Sequence, residues 1–215
     1  RTHGFCIYLQ PGKPSTMTPL EASAPALYYD LPAHAVRVYF QPNDFIQIHA
    51  GLNRKMVDQA LALLAVEPGD TVLDLFAGLG NFSLPLARQA ARVVTVEGEA
   101  ALVERARANA RANNMHNIEA HVADLFAPDA GAAWLGSGFD RVLIDPPRSG
   151  AAEILPLLAA HQPRRIVYCS CHPATLARDA GELVTRHGYR LTHAGVMDMF
   201  PHTAHIESMA VFERT

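Results

Sequence analysis

The stretch from Val72 to Leu84, V-L-D-L-F-A-G-L-G-N-F-S-L, constrains this chain more than any other. An apolar run with one carboxylate, Val72 to Phe76, stops at a Gly-x-Gly turn, which predicts a buried parallel strand bending sharply into a helix. Gly78 and Gly80 have no side chain to block close approach, so the turn is expected to bring bare backbone N–H groups against a ligand. Asn81 to Ala90 reads as the following helix, its N-terminus aimed at the same spot. The arrangement suits a nucleotide-like cofactor without naming one. A dinucleotide fingerprint would place a third glycine at position 83, where this chain has Ser83, and a tight structural turn is the plain alternative.

Downstream, strand and helix alternate. Strands are predicted at Arg92 to Glu97, Asn117 to Val122, Phe139 to Asp145 and Arg165 to Cys169, and helices at Ala100 to Ala112, Ala151 to Ala160 and Ala174 to His187. Such alternation gives an α/β fold with a doubly wound, mostly parallel sheet. Arg190 to Met197 and Ile206 to Arg214 have no helix between them, so that final pair is read as antiparallel. Upstream, Asn53 is read as the N-cap of a helix running to about Ala65, with Met56, Val57, Ala60, Leu61 and Leu64 as its apolar stripe and Pro68 and Gly69 as its end. Gly4 to Leu9, Ala26 to Tyr29 and Val36 to Phe40 read as short strands, Lys13 to Pro25 as turn-rich, and Phe40 to His49 as a connector. Residues 1–48 thus form a small β-rich piece with its linker, and residues 49–215 the main domain.

Composition narrows the function classes. With 215 residues and 49% hydrophobic content the chain can bury one sizeable core. Its 18 Lys and Arg against 21 Asp and Glu give a formal charge of −3, so any nucleic-acid affinity must be local or lie outside the chain. No apolar run reaches membrane-spanning length, and no signal peptide opens the sequence, so a cytoplasmic protein is expected. Of three cysteines, Cys169 and Cys171 are too close for an ordinary disulfide, which fits a reducing compartment. The opening residue, Arg1, suggests a piece of a longer protein.

In a doubly wound sheet, ligands gather at the carboxyl ends of the strands. Here Asp74, Glu97, Asp124, Asp145 and Cys171 stand at or just after five predicted strand ends. Any one of them could be a cap or turn residue; their joint placement is the informative part. Glu97 stands where an acid accepts hydrogen bonds from a ribose diol.

Three later segments carry chemistry. In V-L-I-D-P-P-R-S-G, two prolines stiffen the strand exit, fixing Asp145 and leaving Arg148 to reach into the site. Amino methyltransferases resemble this with an aromatic residue after Asp-Pro-Pro; Arg148 in that place argues against an exocyclic amine as target. In I-V-Y-C-S-C-H-P-A-T-L-A-R-D, Cys169 lies deeper and reads as an inert core thiol, whereas Cys171 lies at the strand edge beside a helix N-terminus that would favour a thiolate. Cys169, Cys171, His172, His202 and His205 match no familiar zinc spacing, and no metal is expected. In M-F-P-H-T-A-H-I-E-S-M-A-V-F, Glu207 stands among apolar neighbours, where burial would raise its pKa and suit it to accept a proton. Its plain alternative is an exposed residue on a late strand.

D-L-F-A-G-L-G-N-F, D-P-P-R-S-G, S-C-H-P-A-T-L-A-R-D and H-T-A-H-I-E-S-M, in that order, resemble the S-adenosylmethionine-dependent RNA uracil-5-methyltransferases. The resemblance covers nearly all of Phe40 to Arg214 and is greater to members acting on bacterial 23S ribosomal RNA than to those acting on tRNA. It implies a Rossmann-like class I methyltransferase fold, with Cys171 as nucleophile toward carbon 6 of uracil and Glu207 as the base that removes the carbon 5 proton. It further implies that Arg148 and Asp145 hold the uracil edge, and that Gln47, Phe76, Asn81, Glu97, Asp124 and Asp145 contact S-adenosylmethionine along with the turn at Gly78 and Gly80. The family usually has Asn where this chain has His172. Full-length members of the kind acting on 23S ribosomal RNA also carry an N-terminal RNA-binding (TRAM) domain and a four-cysteine iron–sulfur cluster. Cys6 is the only cysteine here before Cys169, so the resemblance implies a catalytic-domain fragment, monomeric, with RNA as partner and no membrane. Rival readings are a tRNA uracil-5 or RNA cytosine-5 methyltransferase, a nicotinamide-dependent dehydrogenase, and an inactive RNA-binding scaffold.

Overall fold

A computed structural model describes residues 6–13, 16–21, 24–203 and 205–215. The part of the first predicted strand before Cys6 lies outside the described residues. Two small antiparallel pairs come first: β1 (Tyr8–Leu9) with β2 (Thr18–Pro19), and β3 (Leu27–Leu31) with β4 (Val36–Phe40). Leu31, Val36 and Val38 of the second hairpin are buried in the same apolar cluster as the stripe of α1 (Ala50–Leu64).

The main body is a seven-stranded sheet. Its strands are β5 (Thr71–Leu75), β6 (Arg92–Glu97), β7 (Ile118–Val122), β8 (Arg141–Ile144), β9 (Arg165–Ser170), β10 (Tyr189–Met197) and β11 (Glu207–Arg214), in the spatial order β10-β11-β9-β8-β5-β6-β7. The chain starts at β5, moves outward through β6 and β7, then jumps back to β8 on the other side. This reversal puts the topological switch point between β5 and β8. β11 lies between β9 and β10 and is antiparallel to both, as expected for a pair with no crossover helix.

Strand alternation sorts the core into two layers. Val72, Val93, Leu143, Val167, Met209 and Val211 face α1 and the β3–β4 hairpin. Their neighbours Leu73, Val94, Val142, Ile166, Ala210 and Phe212 face the layer containing α4 (Leu155–Ala160) and α5 (Pro173–Arg186). The central strands β5, β6, β8 and β9 are buried on both sides because both faces are covered, the condition for a parallel sheet, whereas the edge strands β7 and β10 are partly exposed.

Three expectations are corrected. Asn53 is not the cap of α1: the helix begins at Ala50, and His49 Nδ1 accepts the Leu52 N–H at 3.1 Å. Asn53 is buried instead and spends its amide on another element. The helix expected over 81–90 is only α2 (Ser83–Ala87). The glycine turn runs further, with Gly80 N–H on Ala77 O, and the far end tightens through Arg88 N–H to Pro85 O and Gln89 N–H to Leu86 O. The helix expected over 151–160 starts at Leu155, because Ala151 to Ile154 form turns anchored elsewhere.

Candidate active site

A cavity of about 500 Å³ opens at the carboxyl ends of the parallel strands. Each strand lends it the residues at its own exit: Phe76, Ala77 and Gly78 after β5, Glu97 and Gly98 from β6, Asp124 to Phe126 after β7, Asp145 to Arg148 after β8, and Cys171 after β9. Glu207 joins them because β11 runs the other way. Its first residue therefore lies at the edge where β9 ends, and the pairing of Ser208 with Ser170 brings Glu207 alongside Cys171. A residue on a seventh parallel strand would start at the opposite edge.

Of the residues singled out from the sequence, Gln47, Phe76, Gly78, Asn81, Glu97, Asp124, Asp145, Arg148, Cys171 and Glu207 all line this cavity. Gly80 does not. It sits behind the turn with φ +93°, a conformation that glycine adopts without strain, and shapes the loop rather than the wall. The glycine N–H groups are also not bare. Gly78 N–H donates to Glu97 Oε2 at 3.0 Å, and Glu99 N–H to Glu97 Oε1 at 3.0 Å. The turn thus fixes the Glu97 carboxylate instead of presenting an empty cradle. Phe76 holds a left-handed φ of 60°, rare for an aromatic residue, and its ring lies 5.6 Å from that of Phe126.

The polar groups around the cavity are tied down from behind. Asn81 Oδ1 accepts from Tyr29 (2.9 Å) and from Asn53 (3.0 Å), while Asn81 Nδ2 donates to Asn53 Oδ1 (3.0 Å). Beneath the wall, Asp74 is fully buried, and its Oδ2 accepts from Ser83 Oγ at 2.5 Å. The serine at the third-glycine position therefore partners a carboxylate. Asp124 Oδ1 accepts the Phe126 N–H, and Gln47 Oε1 is buried with no hydrogen-bond partner among the described residues.

Electrostatically, the cavity gathers acids. Burial pushes Asp74 up to about 7, the Ser83 hydrogen bond opposing and the Glu97 charge adding. Burial likewise raises Asp145 to about 7, helped by Glu207 and Asp74. Glu207, only 5% exposed, is raised by burial, which excludes the exposed alternative. Cys171 departs from expectation. Burial raises its thiol, Glu207 and Asp145 raise it further, and its own backbone N–H and Arg148 only partly oppose them. The helix end does not by itself make a thiolate here. Cys169 is 1% exposed and its thiol is raised well above the usual value, as fits an inert core residue. Among the described residues, no group of three or more His, Cys, Asp or Glu is disposed to hold a metal.

Sequence reasoning missed Tyr29, Phe45, Leu102 and Phe126 on the cavity wall and Asn53 behind it. Tyr29 and Phe45 precede the main sheet, in segments read only as a short strand and a connector. Phe126 follows Asp124 by two residues, and the proximity of an aromatic to a strand-end acid was the available signal.

Comparison with known proteins agrees with this geometry. The model of the tRNA (uracil-5-)-methyltransferase family matches residues 31–130 and 131–215. The 23S rRNA (uracil(1939)-C(5))-methyltransferase RlmD of Alkalilimnicola ehrlichii is 63% identical over 215 residues, all of this chain and 48% of that protein. RlmD of Xanthomonas oryzae pv. oryzae is 55% identical over 212 residues, 99% of this chain and 48% of that one. The chain thus spans about half the length of the curated relatives it matches. Among solved structures, the tRNA (uracil-54, C5)-methyltransferase of Pyrococcus abyssi, in complex with S-adenosyl-L-homocysteine, superposes with a TM-score of 0.78 at 30% identity, covering 96% of this chain and 50% of that one. TYW2 of M. jannaschii, in complex with AdoMet, has a TM-score of 0.67 at 16% identity, covers 93% of this chain and 91% of that one, and shares the fold. The sheet is that of a Rossmann-like methyltransferase, and the chain belongs to the tRNA (uracil-5-)-methyltransferase family.

Proposed function

We propose that this chain is the catalytic part of an enzyme that methylates carbon 5 of a uridine in RNA, with 23S ribosomal RNA as the favoured substrate. The observation that carries the reading is the meeting of Cys171 and Glu207, from adjacent strand ends, in one cavity with Asp145 and Arg148. Ribosomal RNA is favoured because the relatives at 63% and 55% identity bear that name. A cytoplasmic monomer completes the reading; no helix among the described residues is long and apolar enough to cross a membrane.

The cavity fits S-adenosylmethionine. Its orphaned Gln47 Oε1 suits an ammonium donor, the anchored Glu97 carboxylate suits a ribose diol, and Phe76 with Phe126 offers an apolar surface for adenine. Asn81, Asp124 and Asp145 supply the remaining polar contacts, and Gly78 leaves room beside them. When bound, the cofactor supplies an electrophilic methyl group.

Carbon 5 of uracil is too weak a nucleophile to take that methyl unaided. Cys171 gives up its thiol proton to solvent and adds its sulfur to carbon 6 as the thiolate, and the electron pair of the ring double bond becomes an enolate with density at carbon 5. Arg148, a fixed cation on the rim, stabilises the developing enolate oxygen. After methylation, Glu207 accepts the carbon 5 proton, the ring double bond re-forms, and Cys171 leaves with its electron pair. Burial favours this acid as a proton acceptor, since a raised pKa lies nearer the working pH. Asp145, raised to about 7, can keep a proton and hydrogen-bond an oxygen of the uracil edge. The base must leave its stack to be approached by both groups.

In the complete protein, Cys171→Ala is expected to abolish methyl transfer to a uracil-containing 23S transcript while S-adenosylmethionine still binds by calorimetry. Methylation surviving in that variant would remove Cys171 from the mechanism. Preference for a tRNA transcript would favour the tRNA reading instead.

A further inference from the structure

The segment from Cys171 to Asp179 gives its first residue to the proposed chemistry, and its last two do something else. Asp179 lies on α5 with 0% exposure. Its Oδ2 accepts from the Tyr168 hydroxyl on β9 (2.6 Å) and from the Ala151 N–H beyond β8 (2.8 Å), and its Oδ1 accepts from Arg178 Nε (2.7 Å). Arg178 Nη2 donates to Ser149 O (2.9 Å), and Thr175 Oγ1 donates to Arg148 O (3.1 Å). Every loop group held by α5 therefore lies between Arg148 and Ala151. Gly150, at φ +83°, rests directly on this network: a Cβ there would fall 2.5 Å from Arg178 Nη2 and 2.7 Å from Asp179 Oδ2. Pro146 and Pro147 stiffen the chain just before Arg148, so that residue is clamped on both sides.

Packing does not require these groups. Leu176 and Leu183 already bury the inner face of α5, and a buried carboxylate costs desolvation that an apolar residue would avoid. What the network does accomplish is geometric. The same helix starts two residues after Cys171, so the nucleophile and the loop bearing Arg148 are held by one rigid element.

We propose that Asp179, with Tyr168 and Arg178, is a positioning unit that sets the Arg148 guanidinium relative to the Cys171 sulfur. The proposal rests on the methyl-transfer reading above for its consequence, but not for its geometry. Misplacing a reacting group by about 1 Å costs up to about a hundredfold in rate. Loosening the loop should slow addition of the thiol to the ring without disturbing the cofactor end of the cavity.

The test uses the complete protein with Arg178→Gln, Tyr168→Phe and Asp179→Asn. Arg178 is half exposed and Tyr168→Phe removes a single oxygen, so at least these two variants keep the fold even if Asp179→Asn does not. An RNA with 5-fluorouridine at the target traps the cysteine adduct, because fluorine does not leave as a proton. The single-turnover rate of trapping is expected to fall about tenfold to a hundredfold, with the Kd for S-adenosylmethionine unchanged within about twofold. Combined with Arg148→Ala, the substitutions should slow trapping no further than Arg148→Ala alone, since they act through that residue. Fully additive losses, or an unchanged rate, would overturn the proposal. Wild-type protein that traps no uracil-containing RNA would overturn the methyl-transfer reading separately. In that event, hydrogen exchange still decides: Arg178→Gln should speed exchange in 149–151 alone, and unchanged protection there defeats the positioning role.

Discussion

The sulfur of Cys171 sits between opposing influences. Burial and the carboxylates of Glu207 and Asp145 raise its pKa, while its own amide and Arg148 lower it. The sign is then fixed: in the absence of RNA, less thiolate is present at neutral pH than in a free cysteine. Alkylation by iodoacetamide, with mass spectrometry separating Cys171 from exposed Cys6, is expected to have its pH midpoint above about 8.5. Glu207→Gln should lower that midpoint and Arg148→Ala should raise it. A midpoint at or below that of an ordinary thiol would contradict the balance. The sequence made Cys171 visible through its place at a strand edge, but suggested a favoured thiolate because only the neighbouring helix was legible. The acids that outweigh it come from remote positions, and electrostatic sums over such neighbours have no local signature. Among the charged groups acting on this sulfur, Arg148 is the one that favours the thiolate, so its placement decides how much thiolate the site can hold.

At the scale of elements, the cavity wall depends on an amide pair between α1 and the glycine turn. Asn53→Ala would leave the half-buried Asn81 Nδ2 without its protein acceptor, at a cost of about 1 kcal/mol, read as a lower denaturant midpoint. Tyr29→Phe removes a single hydrogen bond and should cost about 0.5–1.5 kcal/mol. Equal stability of Asn53→Ala and wild type would refute the pairing. This contact shows where reading the sequence stops. The stripe Met56, Val57, Ala60, Leu61 and Leu64 is buried as its period indicates, and the strand at 92–97 and helix at 100–112 stand where their patterns place them. Asn53, however, has the same residue type whether it caps its own helix or pairs with another. Periodicity reports which face is buried and leaves partner choice to the tertiary fold.

Across the whole molecule, the two ends of the sheet are specialised. Opposite the cavity, before β5 begins, Asp70 is 3% exposed and accepts from the buried Arg141 Nε (3.0 Å) and from Arg164 Nη2 (2.5 Å), with Glu67 also on Arg141 (3.2 Å). Asp70→Ala would leave the buried Arg141 with only the exposed Glu67 as its partner, a loss of up to about 3–5 kcal/mol. The melting temperature is expected to fall while the Kd for S-adenosylmethionine, measured well below the transition, stays the same. A weakened Kd would show that the two ends communicate. The alternation of strands and helices made this polarity legible, because a doubly wound sheet puts ligands at one end only. The orientation of β11 carries a final consequence. Glu207 takes its address from the backbone pairing of β11 with β9 and β10, not from the residues that lead into it. The residues before Glu207 can therefore change without moving it off the sheet edge that it shares with Cys171.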